Sequence, residues 1–443
     1  MNHTTNRRKF IAQGTLLVAL ALVSWLSSIA AEKAAVRAPD KTPARIVLTW
    51  AGDPTGSQAV TWRTDTLVTS PEAQIAPLTP SPRVEASALT VKGTATAVAL
   101  PEGKSAAQYA VRFQDLKPGT KYTYRVGDGS TWSEWNVFQT AGTRPEPFRF
   151  LYVGDAQNDI RSLWSRAIRA AYATAPDARF IVHAGDLVAD GYNDRLWGEW
   201  CEALSFISAM VPSLPVPGNH DLHRSPDSSD DASGPLVAPP SWRQQFALPM
   251  NGPEGLRGQS YYIDYQGVRM ISLDVNIYAG KQDTEAKKQL AQQQTAWLEK
   301  VLGENPNRWT IVFQHQPVYS IAKNRRATQM QAMLAPLYDK YQVDLVLAGH
   351  DHGYGRTQKV RAGQVVPGDG PGTIYAISVS GPKMYELTPE HPELMAKILA
   401  GVQLFQIISI NGERLAYQAY TIDGSVIDSF ELRKSQARSG GGK

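Results

Sequence analysis

The spacing of apolar residues changes near residue 144 and divides the chain. From Ala44 to about Thr143, hydrophobic and polar positions alternate in short runs. RIVLTWAG and QAVTWRTD are rich in β-branched and aromatic residues and are separated by Gly, Asp and Pro, the pattern of short strands. In QYAVRFQDLKPGTKYTYRVGDG, Tyr109, Val111 and Phe113 share one face, and Tyr122, Tyr124 and Val126 do the same after the KPGT turn. Past Arg144-Pro145, strand-like runs alternate with helical spacing. FRFLYVG precedes a helix with Ile160, Trp164 and Ile168 on one face, and RFIVHAG precedes RLWGEWCEALSFI. SYYIDYQGVRMISLDV reads as two strands around Gln266-Gly267, and TEAKKQLAQQQTAWLEKVL as a helix. RWTIVFQ, VDLVLAG and GTIYAISVS are strands, ATQMQAMLAPLYDKY is helical, and Asn411-Gly412 and Asp423-Gly424 mark closing hairpins. This alternation predicts an α/β domain over 147–434, preceded by an all-β domain over 44–143.

The ends of the chain read differently. NRRKF, the apolar run GTLLVALALVSWLSSIA and the small residues Ala30 and Ala31 predict a signal peptide over 1–31. Arg7-Arg8 resembles the start of a twin-arginine signal, which implies export of the folded protein by the twin-arginine machinery to the periplasm or exterior; an ordinary secretory signal or an uncleaved anchor is the alternative. Residues 32–43 read as a linker and 435–443 as a frayed tail. No other segment approaches a membrane span. The net charge of +4 owes three positive charges to Arg7, Arg8 and Lys9, so the body is near neutral and nothing indicates nucleic-acid binding. Cys201 is the single cysteine, which excludes an internal disulfide and a zinc-thiolate cluster and suits a small core residue.

The chemistry stands at strand ends. FLYVG is followed by Asp155, FIVHAG by Asp186, VPSLPVPG by Asn219, His220 and Asp221, RWTIVFQ by His315, and LVLAG by His350 and His352. Ligands of open α/β sheets gather at the carboxyl ends of strands, where the loops converge. Carboxylates, an amide oxygen and imidazoles form a mixed N/O set suited to Fe, Zn, Mn or Co. A carboxylate can bridge two such ions ~3.5–4 Å apart. Two divalent ions against two carboxylates leave a net charge of about +2, which attracts phosphate and acidifies bound water.

The ordered motifs GDAQ (154–157), GDL (185–187), GNHD (218–221), FQH (313–315) and GHDH (349–352) resemble the calcineurin-like metallophosphoesterases. The preceding domain resembles a fibronectin III-like sandwich, in which a tyrosine after the turn bonds back to the chain. Together they are similar to bacterial relatives of purple acid phosphatases. The resemblance implies a four-layer fold of two sheets flanked by helices. It also implies a dinuclear centre of divalent or mixed-valence transition metals (Fe, Zn or Mn). Asp155 and His352 would hold one ion, Asn219, His315 and His350 the other, with Asp186 as the bridge. His220 would contact the phosphate and protonate the leaving oxygen, with Asp221 orienting its imidazole.

Two positions depart from the pattern. The tyrosine ligand expected three residues after the bridging aspartate is replaced by Ala189, which predicts a colourless centre; Tyr192 has the wrong offset and reads as structural or substrate-facing. Where other branches have a histidine, this chain has Gln157, a candidate weak ligand. His183 reads as a core or supporting residue, His223 as a loop residue with contact to substrate as the alternative, and Arg325 and Arg326 as a solvated helix face with contact to phosphate as the alternative. Arg356 is a candidate at the site rim, and the segment from Arg224 to Pro240 a mobile loop beside the metals. The function implied is an exported phosphomonoesterase acting on phosphate esters. A phosphodiesterase on the same site is the alternative, and a cell-surface binding protein with a vestigial metal site is the alternative of another class.

Overall fold

Alternating burial explains how the second half of the chain becomes layered. The computed structural model describes residues 40–64, 68–99, 105–224, 236–279, 284–368 and 370–434. The predicted signal peptide, the linker before residue 40, the middle of the 224–240 segment and the tail lie outside the described residues. Strands Val268–Leu273, Trp309–Gln314 and Leu345–Ala348 are buried throughout, so their sheet is covered on both faces. Met270, Ile311, Phe313, Leu345 and Leu347 point into the main core. Ile271, Val312 and Val346 point the other way, into a second cluster with Leu298 and Leu302 of the helix Glu285–Gly303 and Leu334 of the helix Thr328–Lys340. The period-2 geometry of a strand assigns each residue its layer.

The main core lies between this sheet and a second one. The first sheet runs Ser213–Pro215, Ile181–His183, Phe148–Val153, Leu404–Asn411, Arg414–Thr421 and Val426–Arg433, its first three strands parallel. The second has seven strands, and Val268–Leu273, Trp309–Gln314, Leu345–Ala348 and Ile374–Ile377 within it are mutually parallel. Tyr152 of the first sheet donates its hydroxyl to the Ala348 carbonyl of the second, tying the layers together. Helices Ser165–Thr174 and Asp194–Leu204 add buried residues to the same core. Cys201 is among them, and burial pushes its thiol up to about 12. The C-terminal hairpins join the first sheet through Leu404–Asn411, which pairs with Phe148–Val153, the first strand of the α/β domain. The two parallel blocks end in the same loops, and that is where the site forms.

The N-terminal part is a sandwich of two four-stranded antiparallel sheets. Trp62, Tyr109, Val111, Phe113, Tyr124 and Val126 fill it from both sides. The hydroxyl of Tyr122 accepts from the Lys117 N–H at 2.8 Å, closing the corner that the KPGT turn predicted. The sandwich packs on the α/β domain: Val47, Trp50 and Ala141 enter the main core, and Arg45 and Arg63 both pair with Asp194 at the start of a helix.

Candidate metal centre

Five of the parallel strands, Phe148–Val153, Ile181–His183, Ser213–Pro215, Trp309–Gln314 and Leu345–Ala348, are followed within four residues by a ligand-type side chain. Asp155, Asp186, His350 and His352 all have positive φ, at 51°, 51°, 73° and 46°. That conformation is costly for non-glycine residues and marks sites where the surroundings over-determine the backbone. The glycines beside them are there because side chains fill the space that a Cβ would need. A Cβ on Gly218 would stand 2.1 Å from Asp186 Oδ1, and one on Gly349 would stand 2.5 Å from Asp155 Oδ2. The motif glycines thus let the loops close onto the carboxylates.

The side chains converge in two groups. Ligand atoms of Asp186, His315 and His350 lie within 4.8 Å of one another, and so do those of Asp155, Asp186 and His352. Asp186 belongs to both. Its Oδ1 accepts from the His220 N–H at 2.9 Å, while Oδ2 lies 3.2 Å from His315 Nε2 and accepts from Gln157 Nε2 at 2.9 Å. The imidazoles are oriented from behind by carbonyls. His315 Nδ1 faces the Ala184 carbonyl at 2.9 Å, and His352 Nδ1 faces that of Lys383 at 3.0 Å. Such contacts leave Nε2 of each ring toward the centre, the usual support of a metal-binding histidine. His350 turns Nδ1 toward His315 Nε2 at 3.1 Å.

Charge and orphaned atoms describe what this donor set fits. Burial, with Asp186 beside it, pushes the Asp155 carboxyl well above the usual range, whereas His315 holds Asp186 below it against the cost of burial. Burial and neighbouring cations push His350 and His352 down, His352 to about 3, so both are neutral and can donate lone pairs. Asn219 Oδ1 and Gln157 Oε1 are buried without a hydrogen-bond partner. Unsatisfied buried acceptors beside carboxylates and neutral imidazoles are what a pair of divalent cations would complete.

The other predicted residues separate clearly. His220 is part-exposed, and its Nδ1 faces the Ala189 carbonyl at 3.0 Å. Asp221 does not orient that ring. Its buried carboxylate instead accepts from the N–H groups of Leu187, Val188 and Gly218, clamping the Asp186 loop to the Asn219 loop. Burial and the Asp186 charge push it up to about 7. Arg356 is not at the rim either: it is paired with Asp428 through Nε at 2.6 Å and Nη2 at 3.0 Å, a strut between strands. His183 is a neutral core residue, pushed down to about 3 by burial, packed on Trp200 and 3.2 Å from Ser213 Oγ. Tyr192 is 47% exposed. The segment after Asp221 begins as a two-stranded ribbon, His223–Arg224 with Leu236–Val237.

Two contributors leave no mark in the sequence reading, and a third, Arg325, does more than its helix-face pattern predicts. The Ala189 carbonyl acts through the backbone, which no motif records. Asp274 follows the strand Val268–Leu273 as the other acids follow theirs; it is buried, pushed up to about 6, and bonded to Asn276. Arg325, 32% exposed, is not free on a helix face but anchored, its Nη1 donating to the His350 carbonyl at 2.7 Å.

Both domains of the chain are similar to known proteins. Residues 43–140 match the family described as purple acid phosphatase, N-terminal domain, and residues 148–354 match the calcineurin-like phosphoesterases. Acid phosphatase type 7 of Homo sapiens is 28% identical over 356 residues, 75% of this chain and 74% of that protein. An uncharacterized protein of Mycobacterium tuberculosis is 26% identical over 273 residues, 56% of this chain and 50% of its own length. The chain thus spans about half the length of some curated relatives it matches. The purple acid phosphatase PPD1 of yellow lupin (Lupinus luteus) shares the fold, with a TM-score of 0.70 at 18% identity, over 89% of this chain and 75% of that one.

Proposed function

This chain belongs to the calcineurin-like phosphoesterases, in the branch carrying a purple acid phosphatase N-terminal domain, and from that premise we propose that it hydrolyses phosphate monoesters at a dinuclear metal centre. The observation that carries the proposal is the sharing of Asp186 by two ligand groups. Asp155 and His352 would hold one ion with Asp186, and Asn219, His315 and His350 would hold the other. When bound, the ions supply charge for the phosphoryl oxygens and acidify water toward a pKa of ~7. His220 stands at the part-exposed side, its Nδ1 proton held by the Ala189 carbonyl, so Nε2 is the atom that meets the phosphate or the leaving oxygen. Asp221 keeps the two loops in register.

Ala189 in place of a phenolate favours a colourless divalent pair, Zn or Mn or Fe(II). The arginine pair at the N-terminus favours export by the twin-arginine route, and among the described residues no helix is long and apolar enough to cross a membrane. Metal analysis of the purified protein, with hydrolysis of phenyl phosphate and of a bis-aryl phosphate before and after chelation, tests the reading. Two ions per chain, no intense visible band and chelator-sensitive monoester turnover are expected. Faster diester turnover would make it a phosphodiesterase; bound metal without either activity would leave a binding protein.

A further inference from the structure

A cavity of about 210 Å³ opens beside the open half of the centre, with His350 and Asp351 in its wall. It is smaller than the roughly 300–1,000 Å³ of pockets that take a whole ligand, so it suits one end of a substrate. Tyr278 and Met330 give it an apolar side, and Arg325 and Arg326 give it positive charge. Arg325 is anchored: besides its bond to the His350 carbonyl it lies over the Tyr385 ring, 4.9 Å from the centroid. Arg326 is exposed and has no ion-pair partner among the described residues. Asp351 is the one carboxylate in the described lining, and it is already occupied. Its Oδ2 accepts from Ser320 Oγ and from the N–H groups of Ile321 and Ala322, and its Oδ1 lies 3.4 Å from Arg325. The cavity is therefore cationic, and the loop carrying its arginines is fastened to the residue between two proposed ligands.

A second observation is independent of charge. Gln316 lines the cavity, is 6% exposed, and has an Oε1 without a partner. Its amide orientation is fixed by a chain of donors. Asn276 Nδ2 donates to the Pro217 carbonyl, which can only accept, so Asn276 Oδ1 must accept, and it accepts from Gln316 Nε2 at 2.7 Å. The unpartnered atom is then an oxygen, and it calls for a hydrogen-bond donor.

Resting on the proposed phosphoesterase activity, we propose that this cavity receives the alcohol portion of the substrate and selects phosphate esters of hydroxylated alcohols that carry a second anionic group. The hydroxyl donates to Gln316 Oε1 and the anion pairs with Arg326, while the ester phosphate lies at the metal centre. The test uses the full chain with its metals, assayed on 3-phosphoglycerate, glycerol 1-phosphate and phenyl phosphate, with D-glycerate and glycerol binding measured by calorimetry. Wild type should favour 3-phosphoglycerate over glycerol 1-phosphate in kcat/KM on the order of tenfold, the size of one charge-assisted hydrogen bond, mainly through KM. Arg326→Ala should bring that ratio near one and abolish the preference for D-glycerate over glycerol, while Arg326→Lys should keep part of both. A ratio near one in wild type, or one that Arg326→Ala leaves intact, overturns the proposal. Inactivity of wild type on all three esters would defeat the phosphoesterase reading, and the cavity would then stand or fall on D-glycerate binding alone.

Discussion

The two halves of the centre share Asp186 and both use imidazole and amide side chains, but they meet solvent differently. On one side Asp155, Gln157 and His352 are all buried, at 0%, 1% and 2% exposure. On the other, His315 is buried at 0%, but Asn219, His220 and His350 are part-exposed, and His350 borders the cationic cavity. Asp186 joins them. A buried half can hold an ion by packing and a fixed ligand cage, but it cannot receive a substrate. The open half can do that, and the groups suited to handle a leaving alcohol, His220 and the arginine-lined cavity, stand on that side. On the proposed function, burial would divide the labour between the halves.

The largest effect should come from removing what the halves share. Asp186→Asn keeps the shape and the acceptor toward His220 but removes the bridging charge, so both ions should be lost together with most activity. Asp155→Ala and His350→Ala should each affect mainly one ion. The His350→Ala defect should be partly rescued by excess metal, because that half remains accessible. Metal content per chain, measured for all three variants, checks this. An unchanged content in Asp186→Asn would sink the bridge and the comparison with it.

Next in size is a difference confined to the open half. A general acid matters in proportion to how poor the leaving group is, so His220→Ala should slow alkyl phosphates by ~10²–10⁴ and a good aryl leaving group much less. A role in binding the phosphate alone would slow both alike. The readout is the ratio of kcat/KM for the two substrate types, and metal content should stay unchanged. An unaltered ratio would leave His220 as a phosphate contact. Asp221→Asn, in contrast, should lower stability and loop order, since its carboxylate bonds backbone N–H groups and not the ring.

How much of this could be read from sequence depends on the range of the contact. The proposed ligands were legible because a strand that ends in glycine and a ligand-type residue leaves a local trace, and five such traces fit one family pattern. The antiparallel corner at Tyr122 was legible for the same reason, its partner lying only five positions away. What failed was long-range or carried by the backbone. Arg356 finds Asp428 at a separation of 72 residues, and only the return of the last hairpin to the first sheet makes that pair. The ring of His220 is held by a carbonyl, and every residue has one. The carboxylate next to it in sequence was the natural partner to name, yet the turn points Asp221 at the Asp186 loop. Arg325 looked like a helix-face residue until Asp351 folded its loop onto the site.

The smallest expected effect sharpens the closed half. Gln157 Nε2 lies 2.9 Å from Asp186 Oδ2 and 3.1 Å from His352 Nε2, and its Oε1 is buried without a partner. Two arrangements fit those positions. The amide can donate to Asp186 and support the bridge from behind, or it can turn over and offer its oxygen to the ion beside Asp155, since the two ends of an amide are assigned from their hydrogen bonds. Gln157→Ala should weaken retention of the ion beside Asp155 alone if the oxygen binds it, and of both ions if the amide supports the bridge, by ~10–100-fold, the usual cost of losing a group that supports a ligand. Gln157→Glu separates them. If the oxygen binds the ion, a carboxylate there should hold it as well or better; if the amide donates, the new charge should repel Asp186 and metal should leave more readily than from Gln157→Ala. Competition with a chelator, followed ion by ion, measures the order. Unchanged retention of both ions in Gln157→Ala would remove Gln157 from the centre and leave the closed half with Asp155, His352 and the shared Asp186.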